Sequence, residues 1–121
     1  MAEGLSTPAA NAVLDLVGST YPYIKLHIGP PGPNFTANPA AETTRKQATW
    51  AAAANAAKAT SADLVWTGVA ASEDYIHWSG WSSLTGGTAG VSGQITANAL
   101  TSGDEFKILA GDLVVTQPVA T

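Results

Sequence analysis

The stretch Glu73 to Thr96 constrains the fold more than any other part of the chain. Polar and apolar residues alternate from Tyr75 through Ile76, His77, Trp78 and Ser79 up to Thr85-Gly86-Gly87, and a strand of smaller residues returns from Thr88 to Thr96. Period-two alternation is the mark of a half-buried strand, and paired glycines suit a tight turn that needs positive φ. Tyr75–Ser83 and Thr88–Thr96 therefore read as the two arms of a β-hairpin. Trp81 follows Gly80, where the alternation breaks in the manner of a β-bulge.

Similar patterns recur on both sides. Tyr21 to Ile28 alternates, with Ile24, Leu26 and Ile28 on one face and Tyr23, Lys25 and His27 on the other. Arg45–Ala53, Ala62–Val69, Phe106–Leu109 and Leu113–Thr116 read as further strands, divided by turns at Thr101–Asp104 and Ala110–Asp112. Ala51 to Ala59 has helical propensity but no large apolar face, so it reads as a strand end running into an irregular small-residue segment. Ahead of the strands, Ser6-Thr7-Pro8 can start a helix and Gly18 can end it in the left-handed position. Ala9, Ala12, Val13, Leu16 and Val17 then form its apolar face. Gly29-Pro30-Pro31-Gly32-Pro33 closes the first strand, because three prolines without donors suit a stiff exposed loop rather than a central ladder. The predicted fold is mainly β, an antiparallel β-sandwich of about eight strands with one short N-terminal helix. It forms a single domain over 1–121, with an N-terminal arm at 1–7, a helix at 8–17 and a long connection at 29–44.

Charge narrows the function. Only 12% of the 121 residues are charged and the net charge is −4. Ala, Thr, Gly and Ser stand where Lys and Glu are usual, which makes a surface suited to packing against a neighbour. Five scattered basic residues do not make a phosphate-binding patch, so nucleic acid is not an expected partner. Cysteine is absent, no apolar run approaches the roughly 20 residues of a membrane span, and no basic-then-apolar leader opens the chain. Membrane insertion is not expected, and the chain reads as made and assembled in a cytoplasm.

Catalytic and metal-ligating patterns are weak. His27 and His77 lack the local spacing of a metal pair, and no Gly-x-Ser-x-Gly elbow accompanies the many serines. The expectation is no catalytic residue, no metal and no cofactor. Trp66, Trp78 and Trp81 with Tyr75 invite comparison with a sugar-stacking platform, but strand aromatics such as Trp66 and Trp78 mostly fill a core. Trp81 is the aromatic left for contact.

Several words of the chain occur in a characteristic order: Ala10-Asn11-Ala12-Val13-Leu14-Asp15, Tyr23-Ile24-Lys25-Leu26-His27-Ile28-Gly29, Thr44-Arg45-Lys46-Gln47-Ala48-Thr49-Trp50, Ile76-His77-Trp78, Leu84-Thr85-Gly86-Gly87, Ser102-Gly103-Asp104-Glu105-Phe106 and Leu109-Ala110-Gly111-Asp112-Leu113. Together they resemble a widespread group of small tailed-bacteriophage proteins, especially of phages infecting actinobacteria, variously labelled tail fibre, minor tail or capsid decoration proteins. The resemblance implies a virion structural protein without enzymatic activity. The favoured reading is a capsid decoration (minor capsid) protein that binds the major capsid protein or neighbouring virion subunits and stabilises the head shell. Contacts would fall on Pro30, Pro31, Pro33, Phe35 and Trp81, with the N-terminal arm and helix, and self-association is open. A tail fibre or minor tail component is the alternative, and a module binding surface glycans a further one.

Overall fold

The computed structural model describes residues 3–95 and 101–120. Among them are one helix and eight strands: α1 (Thr7–Thr20), β1 (Tyr23–His27), β2 (Lys46–Gln47), β3 (Ala57–Ala59), β4 (Leu64–Trp66), β5 (His77–Trp81), β6 (Ala89–Gln94), β7 (Phe106–Ile108) and β8 (Val114–Thr116). All strand pairs are antiparallel. They form a four-stranded sheet in the order β2-β1-β5-β6 and two ribbons, β3-β8 and β4-β7. This is the mainly β, antiparallel, sandwich-like architecture with one N-terminal helix that the alternation predicts.

The hairpin forms between β5 and β6. Gly86 and Gly87 take φ of 64° and 74°, and the register shifts between Gly80 and Trp81, leaving Gly90 as the extra residue opposite. Thr96, the expected end of the second arm, lies outside the described residues. One sheet face carries Ile24, Leu26 and Trp78 into a core completed by Leu64, Trp66, Phe106 and Ile108 of the β4-β7 ribbon, with Val69, Tyr75 and Leu113. Trp66 and Trp78 are 1% and 0% exposed, so both are core residues. Phe106 contacts Trp66 with centroids 5.7 Å apart and meets Tyr75 edge-on at 5.0 Å. Trp78 lies flat against Gly93, where a Cβ would stand 2.6 Å from its Nε1; Tyr21 likewise lies over Gly90. The glycines of β6 thus make room for aromatic rings.

Several local expectations are corrected. His27 is buried while Ile28 is exposed, because β1 ends at His27 and Ile28 leaves the sheet with the loop. Ile76 is only half-buried. The strand expected over Arg45–Ala53 is limited to Lys46–Gln47, since its partner β1 begins at Tyr23, and an isolated bridge pairs Trp50 with Thr60. The alanine segment instead turns back and yields β3. Asn55 (φ 51°) and Ala56 (φ 59°) make a tight turn, with Ala54 and Ala57 exchanging backbone hydrogen bonds of 2.9 and 3.0 Å. Left-handed backbone is strained at an alanine. Here the Ala56 N–H is held by the Asn11 side-chain oxygen at 2.9 Å.

That contact also explains the helix. Ser6 caps α1, its hydroxyl accepting from the Ala9 N–H, and Pro8 sits in the first turn as expected. The helix continues through Gly18 to Thr20, so Gly18 does not terminate it. Gly18 is buried inside the helix against the Lys58 stem, which occupies the space of a Cβ. Ala10, Leu14 and Gly18 face inward. Beside them Asp15 accepts from Lys58 Nζ at 2.7 Å and from the Ala53 N–H at 2.9 Å. Polar anchoring to the alanine hairpin therefore rotates the expected apolar face outward, leaving Val13 39% and Leu16 66% exposed.

Gly93→Ala tests the aromatic-on-glycine packing. Trp78 is fixed in the core and cannot retreat, so overpacking is expected to cost about 1–3 kcal/mol in denaturant unfolding. A change within about 0.5 kcal/mol, the usual range of a surface substitution, would show that Trp78 has slack the packing denies it.

Candidate functional site

The second face of the four-stranded sheet collects the side chains with chemistry. Tyr23, Lys25 and His27 of β1 stand opposite Trp81, Ser79 and His77 of β5. Gln47 of β2 lies across from Tyr23, while Ser92 and Gln94 of β6 lie across from Ser79 and His77. None of the four strands contains Asp or Glu.

A buried polar chain crosses this face. Trp81 Nε1 donates to Ser79 Oγ at 2.8 Å, Ser79 Oγ lies 2.7 Å from His27 Nε2, and His27 Nδ1 lies 2.9 Å from the Ala37 carbonyl. A carbonyl only accepts, so Nδ1 carries the proton and Nε2 accepts from the Ser79 hydroxyl. Every polar atom of the chain is then satisfied with a neutral imidazole, as burial requires. Burial is the main cause holding His27 below its usual pKa, aided by the charges of Lys25 and His77; the bond to Ala37 pulls the other way. His27 and His77 are cross-strand neighbours, but both nitrogens of His27 are engaged. No group of three or more His, Cys, Asp or Glu residues placed to hold a metal occurs among the described residues.

Arg45, just ahead of β2, joins the long connection to the hairpin tip. Its guanidinium carbon lies 4.3 Å from the centroid of the Trp81 ring, and its Nη1 donates to the carbonyls of Ser83 (2.8 Å) and Gly86 (2.7 Å). Ring and carbonyls together fix the plane of the guanidinium.

The sequence-predicted contact residues are spread around this face. The proline loop closes on itself: Ala37 N–H bonds to Pro31 O (3.0 Å), Ile28 N–H to Asn38 O (2.9 Å), and Asn38 Nδ2 to Pro30 O (2.9 Å). Pro30 and Pro33 are exposed, Pro31 is buried, and Phe35 is half-buried with φ of 60°. Gly29 is required by close approach, since a Cβ would stand 2.9 Å from Asn38 Cγ. Through Ala37 and His27 the loop is bonded to the sheet face, whereas Trp81 is half-buried beneath Arg45. In the N-terminal arm, Leu5 O accepts from the Ala120 N–H at 2.8 Å, tying the arm to the chain's own C-terminal segment; Met1 and Ala2 lie outside the described residues. Sequence reasoning missed Tyr23, Lys25, Arg45, His27 and Ser79. His27 and Ser79 are 52 positions apart, and the only trace of their meeting is that each shares strand parity with a suggestive neighbour, Lys25 or Trp81.

Residues 4–116, nearly the whole chain, match the family described as Podophage GP4 fiber I protein gp80. No curated protein matches the chain.

The His27 chain has a pH signature. Protonation at Nε2 removes the acceptor for Ser79 and adds charge beside Lys25 and His77. With the folded pKa below the unfolded value of about 6.5, the unfolded chain binds more protons between the two. Stability is then fully present above about pH 6.5 and declines as pH falls toward the folded pKa. The urea midpoint should drop from pH 7 to pH 5 in the native protein and drop less in His27→Gln. Equal drops would contradict the buried neutral imidazole. Asp15 adds a separate loss at lower pH, because its bonds to Lys58 and Ala53 hold the carboxyl below its usual range.

Proposed function

The chain belongs to the Podophage GP4 fiber I protein gp80 family, and on that premise we propose that it is a subunit of the phage tail fibre. It is a bacteriophage structural protein, and the observation that favours fibre over capsid decoration is the match to a fibre family across residues 4–116. The work of such a subunit is associative. It packs against neighbouring virion subunits and presents a surface, with no covalent step and no cofactor.

The outward row of α1 suits the packing role. Val13 and Leu16, three positions apart, present apolar surface on a helix whose inner side is already anchored. Low surface charge leaves little repulsion between copies or neighbours. The proline loop and hairpin tip then remain for contacts outside the assembly.

Immunogold labelling of purified virions with antibody to this chain, together with its copy number against the major capsid protein, tests the assignment. A fibre subunit labels the tail end of the particle and is present at few copies. Label spread over the head at a copy number near that of the capsid protein would replace the fibre reading with capsid decoration. Leu16→Asp should leave the isolated protein's unfolding free energy within about 1 kcal/mol of native while reducing its incorporation into particles.

A further inference from the structure

We propose that the sheet face formed by Tyr23, Lys25, Arg45 and Trp81 binds a carboxylate-bearing polysaccharide, with the free edge of Arg45 as its carboxylate clamp. This deepens the fibre reading and rests on it for where such a ligand would be met.

Charge segregation is the first support. The chain has nine acidic residues against five Lys and Arg. Yet Lys25 lies on the acid-free sheet strands and Arg45 immediately precedes β2, while Lys46, paired with the core residue Ile24, belongs to the opposite face and His27 is neutral. Five of the nine acids are engaged elsewhere: Asp15, Glu42, Asp63, Glu73 and Asp104 each accept a backbone N–H that braces a loop or turn. The two ion pairs among the described residues are Lys58–Asp15 and Lys107–Glu105, so neither Lys25 nor Arg45 has a carboxylate partner there. Both are partly buried, and burial and the charge of Arg45 hold the Lys25 ammonium below its usual pKa. An anion placed between them relieves that repulsion.

The second support is the geometry of Arg45. A guanidinium has five N–H donors in a fixed plane. Nη1 uses its pair on Ser83 and Gly86. The Nε–H and the two Nη2–H donors have no acceptor among the described residues, and Nε–H with one Nη2–H forms the side fork that matches two coplanar carboxylate oxygens. Stacking on Trp81 fixes the fork in advance, which lowers the entropy lost on binding. The same fork also accepts two oxygens of a phosphate, so a phosphate polymer is the comparison that separates the two anions.

The surroundings suit a sugar chain better than an acidic peptide. Tyr23 and Trp81 are directly opposed across β1 and β5 and remain partly exposed. Because Arg45 covers the Trp81 ring, Tyr23 is the ring that offers apolar surface to the C–H face of a pyranose beside the ionic contact. Gln47, Ser92 and Gln94 are exposed on the same face and supply amide and hydroxyl groups for sugar hydroxyls. All these groups stand on strands, which hold them at fixed spacing.

Calorimetric titration of the purified full chain with oligogalacturonate tests the proposal, with maltoheptaose, poly-glutamate and poly(glycerol phosphate) as comparisons. Oligogalacturonate should bind, weaken with added salt, and lose roughly tenfold or more in affinity in both Arg45→Gln and Arg45→Lys, since lysine keeps the charge but not the fork. Lys25→Gln, which removes no hydrogen bond within the described residues, should weaken binding several-fold with the fold intact. No oligogalacturonate binding, or binding unchanged in Lys25→Gln and the Arg45 variants, overturns the site. Equal or tighter binding of maltoheptaose overturns the ionic contact. Poly-glutamate binding as tightly would make the face a dock for acidic protein, and tighter poly(glycerol phosphate) binding would make it a phosphate site; either overturns the assignment. Loss of binding with tail labelling retained removes this site alone, whereas head labelling with binding retained removes the fibre reading alone.

Discussion

The pairing of β1 with β5 is the constraint on which the rest of the structure depends. Five consecutive residue pairs run from Tyr23–Trp81 to His27–His77. Ile24, Leu26 and Trp78 drive one side of this ladder into the apolar core, and the other side holds the His27–Ser79–Trp81 chain. A register slip of one residue would move tryptophan to the polar face and histidine into the core. The buried His27–Ser79 hydrogen bond therefore specifies the same register as the apolar contacts do. They also reach outward, because Ala37 and Arg45 attach the proline loop and the hairpin tip to the same pair of strands.

Few charges are available to this chain, and their placement is uneven. Carboxylates accept from backbone N–H groups in loops that lack ladder partners and so brace those turns. Lys58 does comparable work beneath α1, bonding Asp15 and the Ala51 carbonyl (2.8 Å) while its stem fills the groove at Gly18. What remains on the sheet is a small cationic and aromatic surface on an otherwise acidic protein. On the reading proposed above, that surface and the exposed row of α1 would separate two tasks of a fibre subunit, recognition on one element and packing on another.

Elements whose order is set by near neighbours were legible in the sequence. The Ser6 cap, the Gly86-Gly87 turn, the break at Gly80-Trp81 and the burial of Trp66 and Trp78 all follow from local pattern. The helix face was misread because Val13 and Leu16 outrank Ala10 and Gly18 in hydropathy, while the docking is decided by Asn11 and Asp15 reaching the alanine hairpin. That hairpin was hidden in turn, since Asn55-Ala56 lacks the glycine that usually marks such a turn. Trp81 is the one member of the candidate surface that the sequence pattern also singles out. The remainder escapes it, because Arg45, Lys25 and Ser79 are brought together only by strand order, which no local spacing records.

Native-state hydrogen exchange resolved by residue tests the central place of the β1–β5 ladder. Hydrogen-bonded amides of Ile24–His27 and Trp78–Gly80 should be among the slowest to exchange, opening only with global unfolding, while the short β3-β8 and β4-β7 ribbons exchange earlier through partial opening. If β1 and β5 amides instead exchange through a partial opening that leaves either ribbon protected, the ladder is not the element that holds the structure together.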